Sequence, residues 1–359
     1  MGFVRLLLAI SVIIAHSSPI FGCRLLGGAG AVQAFYIISG FYMTFILNEK
    51  YIGVNGSYKL FISNRLLRLY PVYWTVLLLA ILVAFISLIH SGGVDFGNLQ
   101  SFRHYASTMN PLSMIFLVFT NIFMIFQDTV MFLGLNTSNG LLFFTSNFRQ
   151  TNPPLFSFLL VPQAWTIGIE IAFYLIVPFL ARKKAWIIGI LILLSIGIRI
   201  ALYHNGLTHD PWAYRFFPAE IVYFLLGMIG YKIYKKMQHI KPNSIPLYMV
   251  FGLILCFTLF FGLIHLQGKG YLYLLTFSAC VPFVFILSKN WRIDRFLGEL
   301  SYPIYISHLL VQTVLTLLNV QDIGIGKGLT LVLFSVLVAI ALNQLVIKRV
   351  EVLRQSRVK

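Results

Sequence analysis

The chain predicts an all-α polytopic membrane protein, a single bundle of about ten transmembrane helices with a re-entrant or interfacial segment. Three observations predict it. The 359 residues are 59% hydrophobic and only 10% charged, with a mean hydropathy of +0.87. Apolar runs of spanning length recur from end to end, and basic residues gather between them. A soluble domain of this size needs more charge than this to solvate its surface. A net charge of +17 raises nucleic acid as a partner. Its placement in inter-span loops is instead the positive-inside pattern, so no nucleic-acid partner is expected.

The spanning runs lie at 3–20, 31–47, 71–89, 112–134, 164–181, 185–203, 216–234, 246–266, 270–288, 298–319 and 328–347. The first lacks a basic region ahead of it and a small-x-small cleavage site, so it is expected to stay as a span rather than leave as a signal peptide. Basic clusters mark the cytoplasmic side: Lys50/Lys59/Arg65/Arg68, Arg182/Lys183/Lys184, Lys232/Lys235/Lys236/Lys241, Lys289/Arg292/Arg295 and Lys348/Arg349/Arg354/Arg357/Lys359. If every run crossed, these clusters could not share one side, and the mismatch falls between residues 90 and 163. One run within 112–163 is therefore expected not to cross, which is tolerated where protein or a wet cavity satisfies its backbone. Ten crossings then leave both termini cytoplasmic. Polar insertions at 90–111 and 135–163 read as external loops. No internal repeat or linker divides residues 1–359, which are expected to form one transmembrane domain without a separate soluble one.

Ionisable residues inside the runs carry the chemistry. Arg5 and His16 are eleven residues apart, about three helical turns and about 16 Å, so they share a face. Either they line a polar cavity, or Arg5 snorkels to one rim while His16 sits at the other. Ser39 and Gly40 in the second span suit close helix packing. Arg65 and Arg68 are neighbours on one helical face. Two guanidinium forks suit a phosphorylated ligand, and equally suit lipid headgroups. Glu170, on the same short span as Trp165, needs a partner or a wet cavity; it fits either an imidazole companion or a structural ion pair. Tyr302, Tyr305 and His308 make an i, i+3 row that begins like an aromatic belt and runs deeper than one. Arg215 and Glu220 are weaker candidates that also suit pairing with each other. The remaining histidines show no ligand spacing, and Cys23, Cys256 and Cys280 read as small packing residues, so no metal is expected.

Together these stretches resemble the acyltransferase-3 family of integral membrane acyltransferases, which includes bacterial exopolysaccharide and lipopolysaccharide O-acetyltransferases. The pieces are Arg5-x10-His16, Phe35-Tyr36-x2-Ser39-Gly40-Phe41, Arg65-x2-Arg68-Leu69-Tyr70-Pro71, Trp165-x4-Glu170 and Ser301-Tyr302-x2-Tyr305-x2-His308. They occur in order over nearly the whole chain. The resemblance implies His16 as the catalytic histidine, working as base or as acyl-carrying nucleophile, with Arg5 its partner. It implies that Arg65 and Arg68 hold the phosphates of acetyl-CoA, a donor substrate rather than a bound cofactor. Ser39, Glu170, Trp165, Tyr302, Tyr305 and His308 would serve the central cavity. The implied acceptor is a polysaccharide or lipid-linked sugar at the bacterial inner membrane. The short tail after the last span resembles the stand-alone members, without an appended hydrolase-like domain. The competing readings are a glycan transporter or flippase, and the same scaffold with another donor such as succinyl-CoA.

Overall fold

The computed structural model describes residues 1–240 and 244–357. Helices follow one another as α1 (Gly2–His16), α2 (Gly28–Glu49), α3 (Tyr58–His90), α4 (Gln100–Tyr105), α5 (Pro111–Phe123), α6 (Trp165–Leu180), α7 (Ala185–His204), α8 (Phe217–Met237), α9 (Ile245–Leu259), α10 (Lys269–Ser288), α11 (Arg292–Leu317), α12 (Lys327–Leu342) and α13 (Lys348–Ser356). Seven helical stretches among the described residues are long and apolar enough to cross a membrane, while α1, α5 and α9 are apolar but shorter. The all-α expectation needs one amendment. A small antiparallel hairpin, β1 (Leu133–Leu135) with β2 (Leu142–Phe144), interrupts the helices after α5.

The apolar run 112–134 is not one helix. Asn110 caps α5 by accepting from the Leu112 amide at 3.0 Å, and Pro111 starts it. The helix ends where Met124 turns into the left-handed region at φ 57°. Its final carbonyls are taken up by one face of α3. The hydroxyls of Tyr73 and Tyr70 donate to Asn121 and Phe123, and Trp74 Nε1 donates to Ile122. Orphan carbonyls satisfied from a neighbouring helix let α5 stop inside an apolar environment. Its 13 residues rise only about 20 Å, short of the ~30 Å hydrocarbon core.

Two close approaches set the frame. α2 packs on α8 through Gly40 and Gly227. A Cβ at Gly40 would strike the Phe224 backbone, and one at Gly227 would strike the backbone of Ile37 and Phe41. α1 packs on α11 equally tightly at Gly2 and Gly298. There the Asp294 carboxylate accepts the amides of Gly2 and Phe3 at 2.7 and 2.8 Å, capping α1 from another helix. Small residues at such crossings are what let membrane helices touch.

The basic clusters meet at one end of this bundle. Arg182 donates to the carbonyls of Leu47 and Tyr51 at the end of α2. Lys232 donates to the Lys183 carbonyl, and Lys235 pairs with Glu49 at 2.8 Å. Arg357 reaches Ser63 Oγ on α3 at 2.9 Å, while Lys289 and Arg295 face the same cavity as Arg65 and Arg68. Lys241 and Lys359, members of the third and fifth clusters, lie outside the described residues.

Candidate active site

A cavity of about 930 Å³ opens among α1, α2, α3, α6, α11 and α13. It collects Arg5, Ser39, Arg65, Arg68, Glu170, Tyr302 and Tyr305, seven residues drawn from five separate stretches of sequence. Trp165, His16 and His308 do not line it.

Arginines dominate the basic end. Arg65 is buried with its Nε unpartnered, Arg68 on the next turn is exposed, and Arg5 faces both from α1. Among the described residues, none of the three has a carboxylate within ion-pair distance. Like charges held together in a low-dielectric bundle repel, so an anionic ligand is the natural complement.

Glu170 answers the question of its partner. Ser39 Oγ donates to it at 2.5 Å and Tyr174 OH at 2.7 Å, one turn further along α6. The hydrogen bonds to this carboxylate come from hydroxyls rather than from an imidazole, and Arg5 adds electrostatic support. Neighbouring residues of α2 thus do different things: Gly40 packs against α8, while Ser39 turns into the cavity. Tyr302 lines the wall but donates its hydroxyl to the Leu69 carbonyl at 2.9 Å, tying α11 to α3.

Tyr305 closes the inner end. Its hydroxyl donates to the Gln163 carbonyl at 3.0 Å and lies 2.8 Å from Thr166 Oγ1, with its ring against Phe35. One turn on, His308 Nδ1 lies 2.6 Å from the Tyr305 carbonyl. A carbonyl only accepts, so Nδ1 carries the proton and Nε2 is an acceptor. That Nε2 is buried and without a partner, and the ring of His16 lies 5.3 Å from that of His308. His16 itself is exposed at the end of α1. Arg5 therefore lines the chamber, while His16 of the same helix lies outside it against His308, whose ring neighbours that of Tyr305.

Trp165 belongs to a third group. The Arg215 guanidinium stacks 4.1 Å over its ring and grips Asp210 at 2.6 and 3.1 Å. Arg215 and Glu220 do not pair. Glu220 is buried against Arg199 and Gln33 instead, because α7 rather than the loop before α8 presents a cation to it. Lys348 and Arg354, which in sequence are part of the basic tail cluster, also line the cavity. Tyr174 was within reach of its i, i+4 spacing to Glu170.

The fold and this cavity define an integral membrane protein with a cationic chamber in its helical bundle. The family's sequence model for its acyltransferase domain matches residues 1–346, so the chain belongs to the acyltransferase-3 family and is a membrane acyltransferase. An uncharacterized protein of Aquifex aeolicus (strain VF5) is 28% identical over 210 residues, covering 56% of this chain and 90% of that protein. No solved structure matches the chain.

Proposed function

We propose that the protein is an acetyl-CoA-dependent O-acetyltransferase of the bacterial inner membrane, acting on a hydroxyl of a surface or lipid-linked glycan. The observation that carries this reading is the set of three guanidiniums, Arg5, Arg65 and Arg68, around one chamber without carboxylate partners among the described residues. Arg65 and Arg68 hold the donor phosphates at the basic end, where bidentate forks fit phosphate oxygens. The pantetheine arm runs inward past Arg5, Ser39 and Glu170 toward Tyr305. About 16 Å of helical rise separates Arg5 from His16, a length an extended arm spans once the Tyr305 ring swings aside.

His16 takes the proton of the acceptor hydroxyl, whose oxygen attacks the thioester carbonyl. The carbon–sulfur bond breaks, and the imidazolium returns the proton to the departing thiolate. His308 Nε2, a neutral acceptor beside that ring, favours His16 with a proton directed toward it. The same reading gives ten crossings, α1 to α3 and α6 to α12, with α5 and the hairpin not crossing. Both termini are then cytoplasmic. The gathering of the basic clusters at one end supports that orientation through the positive-inside rule.

The test is acetyl transfer from labelled acetyl-CoA to the glycan fraction of membrane vesicles carrying the protein. Label should appear with wild type and fall at least about 100-fold with His16→Ala at equal membrane abundance. Wild-type labelling by a well-inserted His16→Ala variant would overturn the assignment.

A further inference from the structure

The segment after α12 lies at the edge of the family match, which ends at residue 346. Between α12 and α13 the backbone passes through a π-helical turn, Asn343–Ile347. Such turns interrupt a helix at an energetic cost and cluster at functional sites. Asn343 is 0% exposed, and neither its amide nitrogen nor its carbonyl oxygen has a partner. Asn343 is one of the residues that line the chamber. A buried carboxamide left unpaired costs free energy that a bound ligand offering both a donor and an acceptor would recover.

α13 then lies back across α3, fastened by Arg357 to Ser63. This lays Lys348 and Arg354 along the chamber beside Arg65 and Arg68. Arg354 is largely buried, with its side chain 11% exposed, and feels the like charges of Arg65 and Arg68. Its one carboxylate, Glu351 at 2.9 Å, is shared with Gln355. Around the whole chamber seven cationic side chains face four carboxylates. One pyrophosphate gripped by Arg65 and Arg68 leaves Lys348 without a carboxylate among the described residues and Arg354 with a Glu351 that it shares with Gln355. A phosphomonoester, carrying about −1.5 to −2 charges at neutral pH, matches them.

We infer that α13 is part of the donor site: Arg354 and Lys348 receive the 3′-phosphate of the CoA nucleotide, and Asn343 bonds an amide of its pantetheine arm. The inference rests on the acyl-CoA reading above and adds to it a discrimination, CoA over 3′-dephospho-CoA. That discrimination is located on the last helix of the chain.

The measurement is equilibrium binding of CoA and of 3′-dephospho-CoA to the full-length protein in lipid nanodiscs. Wild type should prefer CoA. Arg354→Ala should weaken CoA about tenfold, the worth of a lost charge-assisted hydrogen bond, and leave 3′-dephospho-CoA nearly unchanged, so that the preference shrinks. Arg354→Lys, which preserves charge and packing, should fall between. Arg349→Ala, on α13 but away from the chamber, should match wild type. Wild-type CoA affinity in Arg354→Ala, or an equal loss of both ligands, overturns the role of α13 and leaves the donor reading standing if Arg65→Ala still weakens both. Failure of wild type to bind either ligand removes the donor reading, and this inference with it.

Discussion

The two ends of the bundle treat charge in opposite ways. At the basic end Arg5, Arg65 and Arg68 gather around a chamber without carboxylate partners among the described residues. At the other end Arg199 and Arg215 are answered from within the chain. Arg215 is gripped by Asp210 and stacked on Trp165, and Arg199 is paired with Glu220, which also accepts from Gln33. The imidazoles of His16 and His308 lie together there, with His308 Nε2 unpartnered among the described residues. Both ends bury guanidiniums in the same apolar bundle, so burial alone does not mark function. What separates them is whether the protein supplies the counter-charge or leaves it to a ligand.

The largest expected effect breaks the chemistry without touching the chamber. His308→Gln keeps a buried side chain of similar reach but removes the imidazole acceptor beside His16. Acetyl transfer should drop about 10²-fold with donor affinity preserved, read as a fall in kcat at constant KM. The next acts on the other end. Arg65→Ala with Arg68→Ala should raise the donor KM by at least about tenfold with kcat little changed, because phosphate grip is ground-state binding. Arg68→Lys should recover only part of it, since an ammonium lacks the planar fork. Equal effects of the two lesions on KM would erase the distinction between the ends.

Smaller effects fall on the scaffold. Gly227→Val drives a side chain into the α2 backbone and should cost about 1–3 kcal/mol, seen as a lower melting temperature at unchanged donor KM in the folded fraction. Arg149→Ala removes the outer member of the Asp210 pair, whose side chain is 63% exposed. Its cost should stay below about 0.5 kcal/mol, since Arg215 still holds Asp210.

Much of this was legible in the chain. Runs of apolar residues mark the spans, and the punctuating basic clusters converge in space as their spacing implies. The pairing of Arg65 with Arg68 follows from three-residue spacing, and the demand of Glu170 for a partner follows from its burial. Other features depend on what a second helix contributes. Residues 112–134 read as one span because nothing local stops the helix at Met124. It stops because Tyr70, Tyr73 and Trp74 on α3 take its last carbonyls. Helical geometry puts Arg5 and His16 on one face, but Arg5 lines the chamber and His16 lies outside it against His308 of α11. The cations of α13 look like any cytoplasmic tail until the turn at Asn343 lays them over α3.

The account depends most on a division of labour along α1: donor entry at the guanidinium end, proton transfer at the imidazole end. Sealed vesicles of known orientation, given labelled acetyl-CoA on one side only, test it directly. Glycan label should appear when the donor is on the side exposing Arg65, Arg68 and α13, and be absent when it is on the side of His16. Equal labelling from both sides, or labelling only from the His16 side, would contradict it.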